Sequence, residues 1–361
     1  MKVKIFGAGS IGNHLANASR KLDWEVDIYD ISDDALDRTK NMIYPSRYGN
    51  WDENINLFNT KQKLNKSYDL IIVGTPPDTH IGIALKAIEE KPIAILIEKP
   101  LSTPDLKGLD ELVEKAKKNK VRLFIGFDHV VGLGTEYVKE LNQKLDFGPL
   151  KTIDVSFREH WGGIFNAHPW LSGPKDSYLG FWKRGGGSLG EHSHGINLWQ
   201  YFSHITGNGR IEYVSAVINY KLLDEMNYDE LSLINFQTET GLVGRLVQDV
   251  ITFPPIKTAD LIYEKGRVNW NCAVGKGKDQ VDTIDYEGKL IQKDFKKTRP
   301  DDFVRELSHI ESVINSGKSS PIDIDRGIET MLVIAAAHKS AKENKVVKIK
   351  YDSGYRLDAL K

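Results

Sequence analysis

The hexad Gly7-Ala8-Gly9-Ser10-Ile11-Gly12 is the first group of residues in this 361-residue chain whose spacing could do chemistry. In that spacing Gly7 permits a tight turn, Gly9 lets the backbone come close to a pyrophosphate, and Gly12 allows a helix to pack tightly on a strand. A helix beginning at Ser10 and Ile11 offers free N–H groups and a partial positive charge to phosphates. Asp30 lies about 20 residues further on, where a carboxylate accepts hydrogen bonds from ribose hydroxyls. The same carboxylate repels a 2′-phosphate, and Ile31 and Ser32 supply no cation to hold one. The expected ligand is therefore a dinucleotide, NAD in preference to NADP. Two further loops, Gly74-Thr75-Pro76-Pro77-Asp78-Thr79-His80 and Glu98-Lys99-Pro100, follow strand-like segments. Ligands bind beyond the carboxyl ends of such strands, so Thr75, Pro76, His80, Glu98 and Lys99 are expected at the cofactor. His80 also reads as a helix-start residue.

The elements that would position these loops alternate. Val3–Phe6, Glu25–Tyr29, Leu70–Val73, Ile93–Ile97 and Arg122–Phe127 read as strands. Residues 11–22, 32–40, 78–90 and 104–118 read as the helices between them. Regular alternation predicts a doubly wound parallel sheet of the Rossmann type over residues 1–127. The rhythm then changes. Helices are expected over 135–145, 191–205, 301–315 and 326–341. Strands are expected over 150–159, 211–220, 231–238, 243–250, 259–263 and 267–271, with an irregular loop over 161–188. This pattern predicts a second, α+β domain over 128–361 with an open, mostly antiparallel sheet, its last helix free to pack back on the first domain.

Composition excludes several classes. Apolar residues are 40% and charged residues 27% of the chain, with a net charge of −1, so a general attraction to nucleic acid or anionic lipid is not indicated. The basic run from Lys115 to Lys120 reads as a solvated helix face. Cys272 is the single cysteine, which rules out an intrachain disulfide and a cysteine-based zinc site. No window approaches the ~20 apolar residues of a membrane helix. No signal-peptide pattern precedes the first strand, and the cytoplasm is the expected compartment.

The hexad, Asp30, the 74–80 loop and Glu98-Lys99-Pro100, in this order and spacing, resemble the Gfo/Idh/MocA oxidoreductases. The segment Gly185-Gly186-Gly187-Ser188-Leu189-Gly190-Glu191-His192-Ser193-His194 resembles the glycine-rich stretch that leads into that family's active-site helix. The resemblance implies a nicotinamide-binding domain followed by an open-sheet domain that serves as an oligomer interface, hence a homodimer or homotetramer. It makes Lys99 the catalytic lysine and His194 the histidine of the site. These side chains suit alcohol oxidation. A neutral imidazole can take the hydroxyl proton as hydride leaves the same carbon. An ammonium on a rigid strand end can stabilise the developing alkoxide. On a helix from Glu191 to Ile205, Glu191, His194 and Asn197 share one face while His192 points elsewhere, so Glu191 is expected to orient His194. Histidines two apart on a helix do not converge, and no metal is expected there. The sequence departs from the family pattern at Gly190, where an aspartate is usual, and at Asn197, which replaces another. Its GYNxR-like segment reads Gly126-Phe127-Asp128-His129 and lacks the arginine.

The 158–184 region carries Arg158, His160, Trp161, His168, Trp170, Tyr178, Trp182 and Arg184. Aromatic faces stack on sugar rings and arginines bind anionic groups. His129, His160, Trp161, Trp182, Arg184 and Asn197 are accordingly the expected substrate contacts. Tyr44-Pro45-Ser46-Arg47-Tyr48 is a similar cluster that could reach the site, or form a surface turn. The function expected is NAD-dependent hydride transfer to or from a sugar, polyol or sugar nucleotide. The alternatives are a non-catalytic dinucleotide sensor on the same fold and an NADPH-dependent carbonyl or imine reductase.

Overall fold

In the computed structural model, residues 1–62, 66–166, 168–274, 277–298 and 300–361 are described. The first half of the alternation is β1 (Lys2–Phe6), α1 (Ser10–Lys21), β2 (Glu25–Asp30), α2 (Asp33–Arg38), α3 (Tyr44–Tyr48) and β3 (Ile55–Asn59). It continues with β4 (Leu70–Val73), α4 (Pro77–Ala87), β5 (Ala94–Ile97), α5 (Leu109–Asn119) and β6 (Arg122–Ile125). The strands form one parallel sheet in the order β3-β2-β1-β4-β5-β6. The order reverses beside β1, which opens a crevice at the carboxyl ends of β1 and β4. Every residue of β4 and β5 is buried, as continuous apolar runs covered on both faces should be.

Several boundaries differ from the sequence expectation. β3 was not anticipated, since Ile55–Asn59 mixes asparagine with apolar residues. Helix α5 begins at Leu109 rather than Pro104, because Leu106 and Gly108 both take positive φ and hold 101–108 in a turn. A five-residue π-turn over Thr39–Ile43 and the short α3 follow α2, where a plain helix to Lys40 was expected.

The rest of the chain runs α6 (Leu133–Lys144), β7 (Leu150–Arg158), α7 (Gly162–Asn166), α8 (Gly187–Glu191), α9 (Ser193–Ile205), β8 (Ile211–Leu223), β9 (Met226–Thr238) and β10 (Val243–Asp249). It ends with β11 (Ile256–Tyr263), β12 (Gly266–Asn271), β13 (Lys278–Asp285), β14 (Leu290–Lys296), α10 (Asp301–Ser316), α11 (Ile324–Glu343) and β15 (Val347–Lys348). These strands form a nine-stranded sheet in the order β14-β13-β12-β11-β7-β10-β9-β8-β15. Its pairings are antiparallel except β7 with β10. Strands β13 and β14 had not been singled out; β14 is exposed along almost its whole length, so no burial alternation marks it.

The last two helices lean on the parallel sheet. Arg122 on β6 pairs with Asp323 at 2.9 Å, just before α11. The ring of Phe303 on α10 stacks on His14 of α1 with centroids 5.0 Å apart. Between them the two sheets and α9 enclose a continuous core that includes Ile5, Leu96, Phe124, Trp199 and Leu332.

Candidate active site

The hexad forms the turn from β1 into α1. Gly7 has φ +106°, and a Cβ there would come within 2.6 Å of the Gly74 carbonyl oxygen. A Cβ on Gly12 would lie 2.0 Å from the Gly7 oxygen. A Cβ on Gly9 would meet nothing within 4 Å, so this turn faces open space at the amino end of α1. Asp30, at the end of β2, braces the turn: its carboxylate accepts from Ala8 N–H at 2.8 Å and from Ser32 N–H at 2.9 Å. Ser32, not Asp30, caps α2, its hydroxyl accepting from Ala35 N–H at 3.2 Å. Arg47 of α3 reaches the same turn and donates to the carbonyl oxygen and the hydroxyl of Ser10 at 3.0 and 2.8 Å. The 44–48 cluster is thus placed beside the hexad, which sequence alone left undecided.

His80 is completely buried, with Nδ1 3.0 Å from Pro100 O and Nε2 2.7 Å from Thr75 O. It ties the two cofactor-side loops together, and both ring nitrogens are spent on backbone. This corrects the expectation that His80 touches the cofactor. Thr75 is half-buried and Pro76 exposed at the strand end. Glu98 is buried, accepts from Lys99 N–H at 3.3 Å, and burial pushes its carboxyl up to about 8. Gly126 leaves room for it, since a Cβ there would lie 2.8 Å from the Glu98 carboxyl.

Lys99, just past β5, crosses to the other part of the chain. Its Nζ donates to the main-chain oxygen of Glu191 at 2.8 Å and lies 3.2 Å from the Glu191 carboxylate. The second carboxylate oxygen of Glu191 accepts from Tyr178 O–H at 3.5 Å, and burial pushes the Tyr178 phenol far above its ordinary range. The turn that sets this up is held by Asp229, which accepts from Leu189 N–H at 2.6 Å and Ser188 O–H at 2.7 Å.

The helix expected from Glu191 to Ile205 is broken. Glu191 closes α8, His192 has φ −98° and ψ 26°, and α9 starts at Ser193. Glu191 and His194 therefore do not share a helical face, and the expected pairing gives way to Glu191 with Lys99. His194 instead meets the turn after β6. Its Nδ1 is 3.7 Å from Asp128 Oδ1, and its ring centroid is 4.6 Å from that of His129. Phe127 and Phe157 wall the ring at 5.7 and 6.1 Å. Burial, reinforced by His129, pulls His194 well below the usual histidine range, so the ring is neutral at pH 7. His192 is more deeply buried, and burial pulls it down to about 4. Asp128 was not among the expected site residues; its place in the altered GYNxR-like segment was the signal. Among the described residues, Asp128, His129 and His194 present one group of ligand atoms within 4.8 Å of one another.

Of the expected substrate contacts, His129 lines this cluster, 3.5 Å from Asp128 Oδ1. Asn197 does not: it is buried and donates to Thr330 on α11 at 3.4 Å. Trp161 is also buried, stacked on Phe165 at 5.6 Å and edge-on to Tyr228 at 5.1 Å. Trp182 stacks on His338 at 4.3 Å. Arg184 pairs with Asp78 on α4 at 2.7 Å, pinning the loop to the first sheet. His160 is exposed and accepts from Gly162 N–H at 2.9 Å in a turn. Trp161, Trp182 and Arg184 are each held by protein partners, a use of aromatic and charged side chains that composition alone cannot separate from sugar binding.

Comparison with known proteins bears on the fold. Residues 1–127 match the family described as "Oxidoreductase family, NAD-binding Rossmann fold", GFO_IDH_MocA. Curated protein sequences give no match. Among solved structures, the chain is similar to the WlbA dehydrogenase from Bordetella pertussis in complex with NADH and UDP-GlcNAcA, at 19% identity and a TM-score of 0.69, covering 96% of this chain and 98% of that one. It is similar to an aldose-aldose oxidoreductase from Caulobacter crescentus complexed with glycerol, at 18% identity and 0.76, covering 97% and 99%. A levoglucosan dehydrogenase in complex with NADH and levoglucosan matches at 15% and 0.76, covering 96% and 99%. At these identities the likeness is one of fold.

Proposed function

We propose that this chain, whose first 127 residues match the Gfo/Idh/MocA oxidoreductase family, is an NAD-dependent dehydrogenase acting on a hydroxyl-bearing carbon of a sugar, polyol or sugar nucleotide. The observation that carries the reading is the contact of Lys99 with the main-chain oxygen of Glu191, three residues before His194. It sets the ammonium at the end of the parallel sheet beside the turn that leads into the helix bearing the imidazole.

The residues suit the dinucleotide. The open space at Gly9 and the amino end of α1 would take the pyrophosphate, with the Arg47 guanidinium alongside. Asp30 would accept from the adenosine ribose, and Thr75 and Pro76 would flank the nicotinamide side. When bound, NAD supplies the hydride acceptor. Lys99 then holds the reacting hydroxyl and offsets negative charge on its oxygen. His194, neutral at pH 7, takes the hydroxyl proton and returns it in the reverse direction. Glu98, buried behind Lys99, supports the loop that carries it.

The ligands of the similar structures, UDP-GlcNAcA in one and levoglucosan in another, favour a carbohydrate substrate. The same reading assigns residues 1–127 to the cofactor and 128–361 to substrate and self-association. Exposed Val217, Leu233 and Val243 on the nine-stranded sheet favour a homodimer or homotetramer. No described helix is long and apolar enough to cross a membrane, and a cytoplasmic site of action is proposed. A screen of sugars, polyols and sugar nucleotides with NAD+ and NADP+, read as reduced nicotinamide absorbance, tests the assignment. Reduction of NAD+ by at least one carbohydrate is expected; failure of the chain to bind NADH at all would overturn it.

A further inference from the structure

We infer that Asp128 is the positioning residue of His194, taking the place that the sequence pattern gave to Glu191. The inference rests on the reading of His194 as the acid/base group. Glu191 spends one carboxylate oxygen on Lys99 at 3.2 Å and the other on Tyr178 at 3.5 Å. The break of the helix at His192 separates it in phase from His194. The His194 ring is left with Nδ1 facing Asp128 Oδ1 at 3.7 Å.

Both of these atoms are buried and lack a hydrogen-bond partner among the described residues. Buried polar atoms are seldom left so, and each has in the other a partner of complementary chemistry. Catalytic hydrogen bonds are often long in an unliganded site and tighten when substrate arrives. A carboxylate accepting from Nδ1–H fixes the tautomer in which the Nε2 lone pair is the base. It also stabilises the imidazolium formed when that base takes the substrate proton. Asp128 is itself more than nine-tenths buried, which keeps its field on the two rings rather than in water.

The charged groups around His194 come from several elements. Asp128 and His129 stand on the turn after β6, Lys99 beyond β5, and Lys257 on β11. Phe127 and Phe157 supply the uncharged walls. Of these groups only Asp128 favours the protonated ring; His129, Lys99 and Lys257 oppose it. His129 also faces the same carboxylate oxygen, with Nδ1 at 3.5 Å. Two adjacent imidazolium rings repel, so the shared carboxylate supports one protonated ring at a time.

The test is 15N NMR of the protein labelled at histidine, with His194→Asn used to assign its signals. At pH 8 the wild-type His194 should be the Nδ1–H tautomer, a result that needs no variant of Asp128. Asp128→Asn keeps an acceptor but loses the charge, so it should keep the tautomer and weaken the proton affinity of His194 about tenfold. Asp128→Leu should lose the tautomer preference. An Nε2–H tautomer in the wild type, or identical His194 signals in all three proteins, would overturn the inference. So would a shift of the His129 and His194 signals on treatment with a chelator, which would assign the three side chains to a metal ion instead. NADH binding, followed separately by fluorescence, reports on the proposed function and not on Asp128, so the two failures are distinguishable.

Discussion

Lys99 and Glu191 are joined twice: the ammonium donates to the main-chain oxygen of Glu191 at 2.8 Å and stands 3.2 Å from its carboxylate. The pair bridges 92 residues of sequence and links the loop after β5 to the end of α8, two residues before the helix that bears His194. It fixes the direction of the ammonium, which must point at the reacting oxygen to be of use. Both side chains are mostly buried, so the contact is little screened.

Lys99→Met should leave NADH binding intact and lower kcat about 100- to 1,000-fold, the range for loss of a charge-stabilising donor. Glu191→Gln should lower kcat about tenfold by loosening the ammonium. Because Glu191 acts through Lys99, the double variant should be no worse than Lys99→Met alone. Steady-state kinetics on all three proteins checks this, and additive losses would show that Glu191 has a separate role.

Arg47→Met should weaken NADH about tenfold, as expected when a charge-assisted phosphate contact is lost. Adenosine, which has no phosphate, should bind equally well to both proteins. Fluorescence titration with NADH and competition by adenosine give the two numbers. Equal losses for both ligands would mark a general disturbance of α1 rather than a phosphate contact.

His194→Ala should abolish turnover, while His192→Ala should cost much less activity. The His192 ring packs toward Phe157 at 5.8 Å, and its main-chain oxygen is held by the Gln248 amide. The comparison of kcat/KM reads this out, and the opposite order would reverse the assignment of the two rings.

Glu306 on α10 is buried with both carboxyl oxygens lacking a partner among the described residues. Burial, with Glu98, Asp128 and Asp302 nearby, pushes it well above its ordinary value of 4.5. The folded protein therefore keeps a proton that the unfolded chain has lost. Stability from this source is full below the unfolded value and is lost as pH rises toward the folded one. Glu306→Gln removes the dependence. Its melting temperature should gain on the wild type progressively as pH rises above the unfolded value, by roughly 2 °C per pH unit while the folded carboxyl keeps its proton. A constant difference across that range would mean that Glu306 titrates normally in the fold.

Much of the first sheet was legible because its signals are local. Continuous apolar runs such as Leu70–Val73 and the hexad at 7–12 announce buried strands and a phosphate turn without help from distant residues. The second sheet was legible where alternation is strong, as in β7 and β9, and illegible at β14, where both faces are wet. At the site, Lys99 and His194 were named from motifs: Lys99 reaches the main-chain oxygen of Glu191, and His194 follows three residues later beside Asp128 and His129. The pairing of Glu191 was misread because it assumed an unbroken helix; the chain breaks at His192, whose main-chain oxygen is held by the Gln248 amide, a contact distant in sequence. The aromatic loop could not be read from composition for a related reason. Trp161 and Trp182 have the same side-chain chemistry whether they stack on a sugar or on Phe165 and His338, and only packing tells the two apart.

The most direct measurement is a crystal structure of the chain soaked with NADH. The account predicts the pyrophosphate on the amino end of α1 and the nicotinamide C4 facing a gap lined by Lys99 Nζ and the His194 ring. A hydroxyl placed in that gap would lie about 3–3.5 Å from both groups. A nicotinamide ring turned out of the crevice, with Lys99 and His194 on neither side of it, would contradict the account.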